Sequence, residues 1–152
     1  MHIHIGIDDT DSRQGGCTTY LASEVVNLLI KSNVTFFDYP NLIRLNPNIP
    51  WKTKGNAAVS LRFEAEKPEQ IFHKVYRVFS KHGGEGANPG LVMFRGREVP
   101  EDVQEFSKQA LSGVVSVQRA LHLIKKHEMS IFTGGNGMGL IGALAAIGET
   151  LR

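Results

Sequence analysis

Apolar and other residues alternate with period two along His2-Ile3-His4-Ile5-Gly6-Ile7. This predicts a strand with Ile3, Ile5 and Ile7 on its buried face and Asp8 and Asp9 at its carboxyl end. The period then lengthens: Leu21, Ala22, Val25, Val26, Leu28 and Leu29 form one apolar side of a helix over residues 18–31, which Asn33 ends. Residues 34–39 are rich in β-branched and aromatic residues and 42–45 are mostly aliphatic, so they read as one strand bent or bulged at Pro40-Asn41. Two prolines and Gly55 make 46–56 a long irregular loop, and alternation resumes with Val59, Leu61 and Phe63. Pro68 opens a second helix through Ile71, Phe72, Val75, Val78 and Phe79, which ends at Lys81-His82-Gly83-Gly84. A glycine-bearing loop then leads to a short buried strand, Leu91-Val92-Met93-Phe94.

Strand, helix, strand, strand, helix, strand is the order of the split βαβ plan, in which both helices cover one face of an antiparallel sheet. The expected fold class is therefore α+β: a two-layer sandwich with a mostly antiparallel, ferredoxin-like βαββαβ core, followed by C-terminal helices. Pro100 opens the first of these, with Val103, Phe106, Ala110 and Leu111 inward. Residues 115–126 form the next, with Val117, Ala120, Leu121 and Ile124 inward, and the small and apolar run 140–147 suits a buried helix.

Length and composition narrow the class. A chain of 152 residues, 41% hydrophobic and 21% charged, fits one domain spanning 1–152. A net charge of +2 neither demands nor excludes a nucleic-acid partner. The single cysteine, Cys17, rules out an intrachain disulfide and a four-cysteine zinc site, and it fits a reducing compartment. The longest apolar stretch, 140–147, is too short to cross a bilayer. These features point to a cytoplasmic protein without a membrane partner.

The chemistry concentrates where the first strand ends. Asp8, Asp9 and Asp11 place three carboxylates within four positions, and an oxygen-only set of this kind suits magnesium carrying substrate phosphates. Gly15 and Gly16 follow, then Thr18 or Thr19 can cap a helix whose free N–H groups attract anions. The competing reading is an acidic turn whose side chains bond their own backbone. A second glycine-rich helix entrance, 133–139, contains Gly135, Gly137 and Gly139; Gly137, Gly139 and Gly142 spell GxGxxG. No βαβ unit or ribose-binding acid follows, and the lysine and hydroxyl of a P-loop are missing, which leaves phosphate cradling by backbone amides or a plain turn before a packing helix. Arg44, Lys52 and Lys54 make the long loop basic, and Trp51 offers a surface on which a base could stack, or an anchor for a solvated loop. His2 and His4 share a strand face without a third ligand, and His122 and His127 read as surface residues, so no histidine is assigned to a metal.

Five blocks run in order across nearly the entire chain: Asp8-Asp9-Thr10-Asp11-Ser12, Cys17-Thr18-Thr19-Tyr20, RLNPNIPWKTKGN over 44–56, Asn88-Pro89-Gly90, and Gly139-Leu140-Ile141-Gly142-Ala143-Leu144-Ala145-Ala146. Together they resemble the amino-terminal kinase domain of the archaeal agmatidine synthetase family, TiaS. The resemblance implies an ATP-dependent ligase or kinase that phosphorylates the C2 oxygen of the wobble cytidine of an isoleucine tRNA. Agmatine then attacks, and decoding changes from AUG to AUA. It further implies that Asp8, Asp9 and Asp11 hold magnesium and that Thr18 matches a threonine the family phosphorylates on itself. On this reading Asp8, Asp9, Asp11 and Thr18 are catalytic. Gly16, Thr18, Thr19, Gly135, Gly137 and Gly139 would bind ATP, and Arg44, Trp51, Lys52, Lys54 and Asn56 the substrate, with isoleucine tRNA and agmatine as partners. Family members continue into a ferredoxin-like domain, an OB-fold and a zinc ribbon, so this chain reads as the kinase part alone. A non-catalytic RNA-binding module and a small-molecule kinase of the same fold are the alternatives.

Overall fold

The computed structural model describes residues 1–8, 18–44, 57–82, 89–134 and 137–149. Its elements are β1 (His2–Asp8), α1 (Thr18–Ile30), β2 (Thr35–Phe36), β3 (Asn41–Arg44), β4 (Ala57–Glu64), α2 (Pro68–His82), β5 (Gly90–Arg95), α3 (Glu101–Ser112), α4 (Val117–Lys126), β6 (Ser130–Thr133) and α5 (Gly139–Glu149). The strands form one six-stranded sheet in the order β2-β4-β1-β5-β6, with β3 also paired to β4. Every pairing is antiparallel. Taking β2 and β3 as two parts of one strand, the first six elements have the expected βαββαβ order.

The interruption predicted at Pro40 is present. Phe36 pairs with Phe63 and Asn41 with Ser60, so residues 37–40 lie opposite only residues 61 and 62. Arg62 bounds this double bulge: its carbonyl accepts from the Phe37 N–H at 3.1 Å, and its guanidinium donates to Asp38 at 2.7 Å. Helix boundaries follow local chemistry as well. Asn33 adopts φ 64°, a left-handed conformation that asparagine tolerates, just beyond α1. Ser116 caps α4 by accepting from the Arg119 N–H at 3.1 Å, which starts that helix at Val117 rather than at 115.

Alternation in β1 separates two cores. Ile3, Ile5 and Ile7 pack with Leu21, Val25 and Leu29 of α1 and Ile71, Val75 and Phe79 of α2. The opposite face carries α5, with α3 and α4 outside it, in a cluster that includes Ala58, Val92, Phe94, Val103, Phe106, Leu140 and Leu144. The βαββαβ core is thus the expected sheet with two helices on one side, and the C-terminal helices add a layer on the other. Strand β6 was not foreseen. Its four residues are too few to show a period, yet Phe132 sets its edge against Tyr76 and Phe79, with ring centres 4.9 and 5.4 Å apart. His127 also differs from the surface expectation: it is half-buried, with Nε2 2.8 Å from Asp102 Oδ1. His122 is exposed, as expected.

Candidate functional site at the end of strand β1

Strand β1 presents His4, Gly6 and Asp8 to the α5 face, and the helix rests directly on its backbone. A Cβ at Gly6 would come within 1.9 Å of the Ala143 carbonyl oxygen, and one at Gly90 within 2.2 Å of the Gly139 carbonyl. Only glycine permits so close an approach of helix to strand at these two places. At the end of the seam Asp8 lies over Gly142, where a Cβ would be 1.5 Å from Asp8 Oδ2. The Asp8 residue is 6% exposed. Its carboxylate is therefore held against the first turn of α5, whose N-terminal amides carry partial positive charge that favours an anion.

One cross-strand row passes through this point: Ile43, Ala58, Asp8, Gly90 and Thr133 are successive register partners. Asp8 sits in its middle, with strands on both sides. The glycine-rich approach to α5 is tied to the same row, because the Gly134 N–H donates to the Pro89 carbonyl at 3.0 Å. Gly137, at φ +81°, turns the chain so that its N–H reaches the Gly134 carbonyl while its own carbonyl accepts from Leu140. The row marks the end of the sheet from which the chain leaves β1 toward 9–17 and β3 toward 45–56. It is also where β4 and β5 begin.

Of the residues singled out in the sequence, Asp8 and Gly139 are brought together here, with Gly137 just before them in the approach to α5. Thr18 and Thr19 begin α1, which packs on the opposite face from α5. Arg44 ends β3 opposite Ala57, one position beyond the row. Asp9, Asp11, Gly16, Trp51, Lys52, Lys54, Asn56 and Gly135 lie outside the described residues. Among the described residues no three His, Cys, Asp or Glu side chains cluster as a metal would require. Nor, among them, is any helix long and apolar enough to cross a membrane.

His4 shares the Asp8 face at the other end of β1. It is 1% exposed, tilted against Phe94 with ring centres 5.8 Å apart, and among the described residues neither ring nitrogen has a hydrogen-bond partner. Burial lowers its pKa from the usual 6.5, and the Arg62 charge adds to this. The backbone of Arg97 and Gly96 pulls the other way without reaching hydrogen-bond geometry. A neutral, enclosed imidazole of this kind belongs to the core.

With this geometry in place, similarity to known proteins carries the assignment further. The family model of the TiaS TCKD domain matches residues 4–71. The isoleucine-tRNA 2-agmatinylcytidine synthetase TiaS of Cenarchaeum symbiosum is 44% identical over 148 residues, covering 96% of this chain and 33% of its own length. The crystal structure of TiaS in complex with its isoleucine tRNA and ATP superimposes with a TM-score of 0.90 at 38% identity, covering 100% of this chain and 37% of that one. The chain is similar to TiaS along its whole length.

It spans about a third of the length of these TiaS relatives. A further TiaS structure, the complex with the same tRNA, AMPCPP and agmatine, matches with a TM-score of 0.86 at 36% identity and again covers all of this chain. The TiaS resemblance read from five sequence blocks therefore extends through the three-dimensional fold, C-terminal helices included. What sequence reasoning missed was the pairing of glycines. Gly6, Gly90 and Gly142 are far apart in the chain, and the usable signal was a glycine inside each of two strands, matched by a helix of glycines and alanines that could lie upon them.

Proposed function

We propose that this chain is the ATP-dependent, kinase-type part of an isoleucine-tRNA 2-agmatinylcytidine synthetase. The observation that carries the proposal is the match of the whole chain to TiaS in its complex with tRNA and ATP. The Asp8 geometry supports it, since a strand-end carboxylate is fixed against the start of α5 at the end of the sheet where β1 and β3 finish.

In the proposed reaction the C2 oxygen of the wobble cytidine forms a bond to the γ-phosphorus of ATP while the bond to the bridging oxygen breaks, and ADP leaves. The amine of agmatine then forms a bond to C2, phosphate departs with the former C2 oxygen, and the amine loses a proton. Phosphoryl transfer of this kind depends mainly on positioning and charge neutralisation. Carboxylate oxygens are the ligands magnesium takes, and Asp8 is held at the strand end, so the residues fit that ion. Asp8, Asp9 and Asp11 would hold it. When bound, it would neutralise charge on the phosphate oxygens. The amides at the start of α1, with Gly16, Thr18 and Thr19, and those at Gly135, Gly137 and Gly139 would take the phosphates. Thr18 would accept a phosphate itself, and the basic segment with Arg44, Trp51, Lys52, Lys54 and Asn56 would receive the tRNA. A tRNA substrate fits a cytoplasmic setting.

The test is calorimetric titration of the chain with magnesium and ATP, beside Asp9→Asn and Asp11→Asn. Binding that requires both carboxylates, in variants that still melt cooperatively, supports the proposal. Full binding or ATP turnover in both variants would remove it. RNA binding with no nucleotide binding would favour a non-catalytic RNA module instead.

A further inference from the structure

We infer that Gly142 is a positioning residue for the Asp8 carboxylate, and that its missing side chain sets the direction in which Asp8 points. The inference rests on the magnesium-nucleotide reading of the β1 end and adds the device that orients its first carboxylate. A Cβ on Gly142 would lie 1.5 Å from Asp8 Oδ2, 2.3 Å from Cγ and 2.8 Å from Cβ. The whole side chain thus crosses the surface that Gly142 leaves bare, and any larger residue must displace one partner.

The backbones on either side have little freedom to yield. Asp8 is paired to Ala58 on one side and Gly90 on the other. The helix is seated backbone to backbone at Gly6 under Ala143 and at Gly90 against Gly139, which bracket Gly142 in the chain. With strand and helix both pinned, the group able to move is the Asp8 side chain. A methyl group at 142 therefore acts on the carboxylate. Gly148 provides the contrast within the same helix: a Cβ there would meet the Val103 carbonyl oxygen at 2.6 Å and Ser107 Cβ at 2.8 Å. That change strains α5 without touching Asp8.

The experiment measures binding of AMPCPP with magnesium by calorimetry, alongside thermal melting, for wild type, Gly142→Ala, Asp8→Asn, the double variant and Gly148→Ala. Groups that orient metal ligands typically change affinity by about 10- to 100-fold, so Gly142→Ala weakens binding by that factor. If Gly142 acts through Asp8, the double variant binds no more weakly than Asp8→Asn alone. Gly148→Ala lowers the melting temperature and leaves affinity unchanged. Wild-type affinity in folded Gly142→Ala, with binding impaired in Asp8→Asn, overturns this inference and leaves the functional reading standing. Additive losses in the double variant also overturn it, because they assign Gly142 to packing alone. Normal binding in Asp8→Asn removes the functional reading and this inference with it. Should Gly142→Ala fail to fold, Asp8→Gly in the same chain decides: recovery of the fold supports the direct contact, and failure to recover refutes it.

Discussion

The two faces of the sheet are built from different materials. Against α1 and α2 the sheet places isoleucine, leucine and phenylalanine; Phe63 of β4 and Phe79 of α2 are among the largest fully buried side chains. Against α5 it places Gly6, Asp8, Ala58 and Gly90, and the helix answers with Gly139, Gly142, Ala143 and Ala146. Large apolar groups remove the most surface from water, so the first face contributes burial. Small groups bring backbones together, and a backbone has no rotamers. Within the second face, whose core also holds Phe94, Phe106, Leu140 and Leu144, the seam of small residues between strand and helix serves placement, and a carboxylate is held at its end.

Substitutions on the two faces should therefore fail differently. The largest effect on stability is expected from Phe79→Ala, which opens a cavity beside Phe132 and should cost about 3–5 kcal/mol in urea unfolding. The affinity of the folded fraction for AMPCPP with magnesium should be unchanged. Gly6→Ala should cost less, about 1–3 kcal/mol as an overpacked contact. It forces α5 away from β1 and should abolish nucleotide binding, so a variant that lost stability but bound normally would erase the distinction between the faces. Ser116→Ala removes the α4 cap at the periphery of the second face and should cost about 1 kcal/mol with no change in binding. A binding defect there would mean that the whole helical layer, rather than the seam, positions the site.

The smallest effect concerns pH. Burial holds the His4 pKa below 6.5, so below pH 6.5 the unfolded chain takes up a proton that the folded chain resists. Its contribution to stability is fully present above pH 6.5 and is lost as pH falls from there toward the lowered folded value. Urea titrations across this window should show stability declining with acid in wild type and a shallower decline in His4→Leu. Equal slopes would mean that the imidazole is not enclosed as described.

Burial periods made the first core legible. Ile3, Ile5 and Ile7 at period two, and Leu21, Val25 and Leu29 at helical spacing, each identify a face without help from distant residues. Pro40 likewise announced the break between β2 and β3. The second face was harder to read, because glycine and alanine carry little hydrophobic signal and their meaning depends on what lies opposite. Gly142 was visible as part of a GxGxxG string and of the block over 139–146, whereas the residue it faces, Asp8, lies more than a hundred residues earlier. Strand β6 was obscured by its brevity. Asp8 was found at once, as the last residue of an alternating strand, but its helix partner was not, since nothing local connects β1 to α5.

The double bulge opposite Arg62 also bears on how these molecules behave toward one another. A sheet margin with a long run of free N–H and C=O groups can recruit a strand from a neighbouring molecule, and proteins that stay dispersed keep such margins short, bent or proline-bearing. Here one margin is divided into β2, with two residues, and β3, with four, on either side of a bend that ends in Pro40, and the other is the four-residue β6. The Asp38 carboxylate, holding Arg62 at 2.7 Å, clamps the bend that separates the two short pieces. Among the described residues neither margin offers an incoming strand more than four consecutive residues, so the interrupted pairing narrows the surface open to strand addition.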